Sequence, residues 1–213
     1  MLIDLRIVPV LWINLEEHKE NANNITAMLN GYGFENHRRT PGIRVNGFDG
    51  VSYHQKIDHY MGVGLAQLNG MRQIKSSLPA LVLEDDVAIS SNFNPVLEVP
   101  DDTDAVYLGV SRAGNAFGYK ISDKYARIFN VLSAHAILYI SDKFINDAIE
   151  SSKKCLIDDQ APFDLAMSQM LARHNVLTPL NPYFYQSNQR QSENKWEHLT
   201  NCPIKIYEKT TSV

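Results

Sequence analysis

The chain of 213 residues has only two cysteines, Cys155 and Cys202, far apart and without CxxC spacing. Neither a disulfide framework nor a structural zinc site is expected, and a reducing, cytoplasmic setting fits. Long hydrophobic runs are also missing. The longest central stretch free of Asp, Glu, Lys and Arg runs from Ile128 to Ser141, includes His135, and falls short of the ~18 to 20 apolar residues of a spanning helix. The apolar run Ile7 to Leu15 follows Asp4 and lacks both a basic start and a small-residue cleavage site, so no export signal is expected. There is no basic excess: 20 Lys plus Arg against 24 Asp plus Glu give a formal charge of −4, which argues against nucleic acid as a partner. No repeat, GxxxxGK[ST] loop, GxSxG elbow or HExxH helix occurs. A P-loop enzyme, an α/β-hydrolase and a zincin therefore lose their usual support.

Apolar residues make up 44% and charged residues 21% of the chain, the composition of a globular protein, and the length fits one domain over 1–213. The Gly-rich stretch Thr40 to Val51 and the polar stretch Ser187 to Lys195 resemble linkers but do not divide the chain. Ile7 to Asn14 predicts a buried strand, Glu16 to Leu29 a helix stopped by Gly31 and Gly33, and Phe34 to Thr40 a short strand. Gly62 to Ser77 predicts a helix, with Leu65, Leu68, Met71 and Ile74 on one stripe, and Ala80 to Leu83 a short buried strand. Strands are expected over Ala105 to Val110 and Ala136 to Ile140, and helices over Asp142 to Ser151 and Phe163 to His174. This alternation predicts an α/β fold with a mostly parallel central sheet flanked by helices, its ligands bound beyond the carboxyl ends of the strands.

The strand Ala80 to Leu83 ends in Glu84, Asp85 and Asp86. Like charges this close raise one another's pKa unless a cation or solvent relieves them. All-oxygen ligands favour Mg²⁺ or Mn²⁺, ions that bridge protein to substrate phosphate. The competing reading is a solvated turn or a cap for the next segment. Asp101, Asp102 and Asp104 are as acidic but precede their strand, and are read as a solvated loop.

Ala80 to Val87, ALVLEDDV, resembles the acidic motif of the family 25 glycosyltransferases, which include lipooligosaccharide and collagen galactosyltransferases. Trp12 to Leu15 (WINL), Arg39 to Gly42 (RTPG), Gly62 to Leu68 (GVGLAQL), Ala105 to Gly109 (AVYLG), His135 to Ser141 (HAILYIS) and Pro162 to Leu165 (PFDL) resemble further segments of that family, in order. The family's helix commonly carries Ser-His where this chain has Ala66 and Gln67. The resemblance implies a GT-A fold and a divalent cation held against the diphosphate of a nucleotide sugar, with UDP-sugar the expected donor and a glycan or glycolipid the expected acceptor. It implies an inverting transfer with Asp164 as the base, Asp86 as the leading cation ligand, Glu84 on the same ion or an ordered water, and Asp85 on the ribose.

Each residue also has a plainer reading. Asp164 fits equally as a cap of its helix, with Asp158 and Asp159 as lesser alternates in a polar loop. Asn14 is either a nucleotide contact or a strand terminator, Arg39 either a phosphate ligand or half of a solvated pair with Arg38, and Gln67 either a donor contact or an exposed helix residue. His174 and His198 are candidates for a further metal ligand, whereas His135, in an apolar strand, reads as a buried histidine bonded to backbone. Tyr183, Phe184 and Tyr185 read as a buried C-terminal strand before a sugar platform. Two other classes compete with the transferase: a non-catalytic nucleotide- or sugar-binding protein on a degenerate GT-A scaffold, and a magnesium-dependent phosphoryl-transfer or hydrolytic enzyme.

Overall fold

The apolar residues after Pro9 form a buried strand, with a helix behind it, in a computed structural model that describes residues 1–45, 55–110, 117–159 and 161–187. The strands are β1 (Leu2–Asp4), β2 (Val10–Asn14), β3 (His37–Pro41), β4 (Ala80–Glu84), β5 (Val87–Ile89), β6 (Val96–Glu98), β7 (Ala105–Tyr107), β8 (Phe117–Lys120), β9 (Tyr125–Asn130), β10 (Ala136–Tyr139), β11 (Val176–Pro179) and β12 (Phe184–Gln186). The helices are α1 (Lys19–Gly31), α2 (Gln55–Ile74), α3 (Asp142–Lys154) and α4 (Phe163–Leu171), with a π-helical turn Cys155–Asp159 after α3. Within the described residues the central sheet runs β3-β2-β4-β10-β7-β11-β9-β8, while β1 with β6 and β5 with β12 form two small ribbons.

The expectation of a mostly parallel sheet is corrected. β2 is parallel to β3 and β4, and β11 to β7. β10 is antiparallel to β4 and β7, and β9 to β11 and β8. Parallel neighbours need a crossover, usually helical. α1 and α2 supply crossovers in the first half, whereas the β8–β9 hairpin occupies the chain between β7 and β10. The expected first strand is also shorter at its start, because Ile7 is 61% exposed and lies outside it.

Local sequence accounts for the element ends. α1 closes where Gly33 takes φ +77°, a left-handed conformation that favours glycine. The Ser141 hydroxyl accepts the Phe144 N–H at 3.1 Å and caps α3, while Lys153 and Lys154 sit in its last turn beside the exposed carbonyls.

Period-two alternation builds a three-layer core. Leu11, Ala80, Val82, Tyr107, Ile137 and Tyr139 face α2, α3 and α4. Val10, Trp12, Leu81, Leu83, Val106 and Leu138 face α1 and the two ribbons. Leu81 is fully buried in the middle of this second layer. Leu81→Ala is expected to cost about 2–5 kcal/mol, read as a lower urea midpoint at an unchanged m value. Among the described residues no helix is long and apolar enough to cross a membrane.

Candidate active site

Alternation decides where the acids of the strand end point. Glu84 continues the Ala80, Val82 series toward the α2 and α4 layer, and Asp85 falls on the α1 side with Asn14. The Asn14 amide donates to Asp85 Oδ2 at 2.5 Å and to the His18 carbonyl at 3.0 Å. His18 Nδ1 stands 3.8 Å from the same carboxylate oxygen. The Asn14 carbonyl accepts from Arg39 Nη2 at 3.2 Å and from the Gly42 N–H at 2.8 Å. The fold thus joins Asn14, Asp85 and Arg39, residues far apart in the chain, at adjacent strand ends. Asn14 is nearly fully buried and Arg39 exposed, so the cationic head is open to solvent beside an inner amide–carboxylate pair.

Glu84 keeps part of its surface exposed, but its carboxyl group is turned into the protein. Burial, and then repulsion from Asp86, Asp164 and Asp85, push its pKa up to about 8, against a lowering contribution from the Gln186 amide. That amide donates to Glu84 Oε2 at 3.3 Å. Burial followed by repulsion from Asp85 raises the Asp86 pKa, opposed by a backbone hydrogen bond. Asp164 lies in the first turn of α4, where burial raises its pKa and the N–H groups of Leu165 and of Asp164 itself pull it back. Its charge is felt at Glu84 and at the buried Tyr107 hydroxyl. The four carboxylates Glu84, Asp85, Asp86 and Asp164 therefore share one electrostatic site.

Gln67 is not the exposed helix residue of its plainer reading. It is 1% exposed, and neither amide atom has a hydrogen-bond partner among the described residues. Gly70, one turn later, packs on Ile13 and Val82. Because α2 leads from the end of β3 to the start of β4, Gln67 lies nearer the carboxyl ends of these strands than Gly70 does.

Beside Asp85 a groove of about 310 Å³ runs between α1 and β5, lined by Asn21, Asn24, Met28, Tyr32 and Ser187 among others. A larger cavity, about 460 Å³, lies over α3 and α4 and shares none of these residues.

Other expectations separate from the site. His174 Nε2 meets Asp147 Oδ2 at 2.9 Å, and its Nδ1 is 3.5 Å from Asp104 Oδ2, at the amino end of β7 and so at the opposite edge of the sheet from Glu84. Asp104 also accepts from the Ser141 hydroxyl at 2.6 Å and the Asn175 N–H at 2.8 Å. This corrects the reading of Asp104 as part of a solvated loop: it ties β7 to α3 and β11. Phe184 is fully buried, and Tyr183 and Tyr185 are half-buried, in or next to β12. His198, the side chains of Asp158 and Asp159, and most of the 187–195 stretch lie outside the described residues.

Sequence reasoning missed His18 and Gln186. Each is a single polar residue beside an element end, and only the fold shows which carboxylate it meets.

Among the described residues no three of His, Cys, Asp and Glu form a ready-made metal cage. Mg²⁺-type ions commonly take only one or two carboxylates and complete their shell with water and substrate phosphate. The hard oxygens of Glu84 and Asp86, with pKa values raised by burial and then by neighbouring carboxylates, fit an ion of that class.

No family model and no curated protein matches the chain. Among solved structures the chain is similar to a glycosyltransferase involved in the glycosylation of the major capsid of PBCV-1, at 8% identity and a TM-score of 0.37, covering 91% of this chain and 99% of that one. It is similar to the CTP:phosphocholine cytidylyltransferase LicC of Streptococcus pneumoniae, at 9% identity and a TM-score of 0.43, covering 87% and 95%. It is also similar to a UTP-bound UGPase of Acinetobacter baumannii, at 8% identity and a TM-score of 0.38, covering 86% and 66%. These likenesses concern the layout of the chain and carry nothing about the site.

Proposed function

We propose that the chain is a metal-dependent glycosyltransferase that moves a sugar, with inversion, from a UDP-sugar to a hydroxyl of a glycan or glycolipid. One observation carries this reading: Asp164, about eighty residues downstream, is brought into electrostatic contact with Glu84 at the strand end that also holds Asp85 and Asp86. The ALVLEDDV motif and its ordered companions, similar to family 25, support it.

In this reading Glu84 and Asp86 hold a divalent cation. Bound there, a cation would supply positive charge for a departing diphosphate, which gains more from it in the transition state than in the ground state. Asp85, oriented by Asn14, accepts from a ribose hydroxyl at the mouth of the α1–β5 groove. Arg39 offers its guanidinium to phosphate oxygen, and Gln67 turns its unbonded amide to the donor. Asp164 takes the proton of the acceptor hydroxyl while that oxygen bonds to the anomeric carbon. The electron pair of the broken C–O bond leaves with UDP.

Incubation with Mn²⁺, a panel of UDP-sugars and glycan acceptors is expected to release UDP and form a new glycoside. Asp86→Ala is expected to remove both products while thermal unfolding stays cooperative. Equal turnover by that variant rejects the cation role of Asp86. Ligand-induced stabilisation without turnover favours the binding protein instead, and free sugar or phosphate favours the hydrolytic enzyme.

A further inference from the structure

His135 reaches Glu84 through its main chain and, through its ring, the start of β12, two residues before Gln186. Its carbonyl accepts the Glu84 N–H at 3.0 Å and so fixes the end of β4. Its ring is 1% exposed and accompanied by the Ser133 hydroxyl, 3.0 Å from Nδ1. Nε2 is turned toward the carbonyl of Phe184, the first residue of β12, and packs beside it without hydrogen-bond geometry. Gly109 frames the same notch: a Cβ there would stand 2.2 Å from the Phe184 oxygen and 2.3 Å from Nε2, so any larger residue would force the ring and the carbonyl apart. The Tyr183 and Phe184 N–H groups meanwhile bond the Leu108 carbonyl at 2.8 and 3.1 Å, and the Ser187 N–H bonds the Asp86 carbonyl at 2.6 Å. β12 is thus seated on Leu108 at its start and on β5 and the Asp86 carbonyl toward its end, and Gln186 is the side chain it delivers to Glu84.

We infer that His135 is a positioning residue of the carboxylate site: its main chain sets Glu84, its ring sets the backbone of β12, and the two together set the distance between Glu84 and the Gln186 amide.

The chemistry of the notch explains why this position holds a histidine. The side chain has to meet a hydroxyl on one side and a backbone carbonyl on the other, deep in the protein. A neutral imidazole does both: Nδ1 shares a hydrogen bond with the Ser133 hydroxyl, which also reaches the Gly109 carbonyl at 3.4 Å, and Nε2 is turned to the Phe184 carbonyl. Burial pushes the His135 pKa down to about 4, so the ring adds no charge beside Glu84 near neutral pH. Leucine would fill the space and leave the Ser133 hydroxyl and the Phe184 carbonyl without the ring.

The inference rests on the carboxylate site being the reactive one, but its first readout does not depend on that. Amide hydrogen exchange on the full chain, without ligand, is compared for the wild type, His135→Leu and His135→Gln. His135→Leu is expected to speed exchange at Phe184–Gln186 about fivefold or more, the effect of losing the polar ring packed against that backbone. The amides of Ala136–Tyr139 and Ala105–Tyr107 should keep their protection. His135→Gln, whose amide can still face the carbonyl, should restore most of it. Equal loosening of all three strands, or an unchanged β12, overturns the inference.

Calorimetric titration with Mn²⁺ and UDP supplies the second readout. His135→Leu and Gln186→Leu should each weaken binding about fivefold, with no further loss in the double variant. Additive losses overturn the inference; a wild type that binds neither probe rejects the proposed function while the exchange result still judges His135. Should His135→Leu not fold, Ser133→Ala, which removes only the hydroxyl beside the ring, is expected to loosen the same β12 amides by a smaller factor, and unchanged exchange there overturns the inference.

Discussion

Glu84→Gln is expected to make the ligand-free chain more stable at pH 8 and to abolish sugar transfer. The carboxyl group of Glu84 is held protonated up to about pH 8 by burial and by its acidic neighbours, whereas in the unfolded chain it ionises near 4.5. Between these values the unfolded state binds fewer protons than the folded one, so folding stability is full below about pH 4.5 and declines as the pH rises toward 8. The slope cannot exceed ~1.4 kcal/mol per pH unit for one group, and solvent at the partly exposed residue makes it smaller. A glutamine keeps the shape without the ionisation. Urea unfolding at pH 5, 6, 7 and 8 should show the two proteins converging at the acid end and separating at pH 8, with the variant ahead. UDP release should fall to background, because the substitution removes a charged ligand from the proposed cation site. A variant no more stable than the wild type at pH 8 would show that the ionised carboxylate is accommodated without a cation, and the reason for placing one there would go.

Gain of stability with loss of function is the pattern expected when a site keeps like charges together for chemistry rather than for folding. Two observations weigh on the same side. The Asn14 and Gln67 side chains are buried near the strand ends, where an apolar residue would have been easier to place. The Gln67 amide has no partner among the described residues, although buried polar atoms are rarely left that way.

Much of the first half of the fold is legible in the sequence, because β2 and β4 are apolar runs that follow Pro9 and Pro79 and α1 stops at Gly31 and Gly33. However, α2 starts at Gln55, ahead of the expected Gly62, and ends at Ile74 rather than Ser77. α3 is legible through its Ser141 cap and basic last turn. The segments β8, β9 and β11 escape a reading of periodicity: β8 and β11 have four residues each, and β9 is half-polar, with Arg127 and Asn130 in its six residues. Pairing of β11 with β7 on one side and β9 on the other is a property of the assembled sheet. The acids at the end of β4 stand out as a motif, since three charges directly after an apolar strand are unusual. Their division between two faces, with Asp85 toward Asn14 and Glu84 toward Asp164, follows from strand alternation once β4 is placed. Gln186 is not legible at all, because it meets Glu84 only through β12, whereas His135 is legible as a buried histidine beside backbone but not as the residue whose carbonyl holds the Glu84 N–H.

Asp164→Asn separates the two readings of Asp164, base and cap. Asp164 lies inside the first turn of α4, whose N-cap is Pro162, so asparagine keeps its shape and gives up only the favourable dipole contact, ~0.3–1 kcal/mol, while removing a proton acceptor. If Asp164 takes the acceptor proton, kcat should fall about 10²- to 10⁴-fold, the usual contribution of a positioned base. Affinity for Mn²⁺ and UDP should change little, because the cation and ribose contacts fall to Glu84, Asp86 and Asp85. The pH profile adds a discriminating sign. Burial raises the Asp164 pKa above the ordinary aspartate value, so activity should climb with pH through a limb displaced upward from that value, and the residual activity of the variant should lack the limb. A fall of less than tenfold with an unchanged limb would leave Asp164 as a carboxylate that only complements the positive end of α4. The base would then have to be sought among the remaining carboxylates, beginning with Asp158 and Asp159, which precede α4 in the chain.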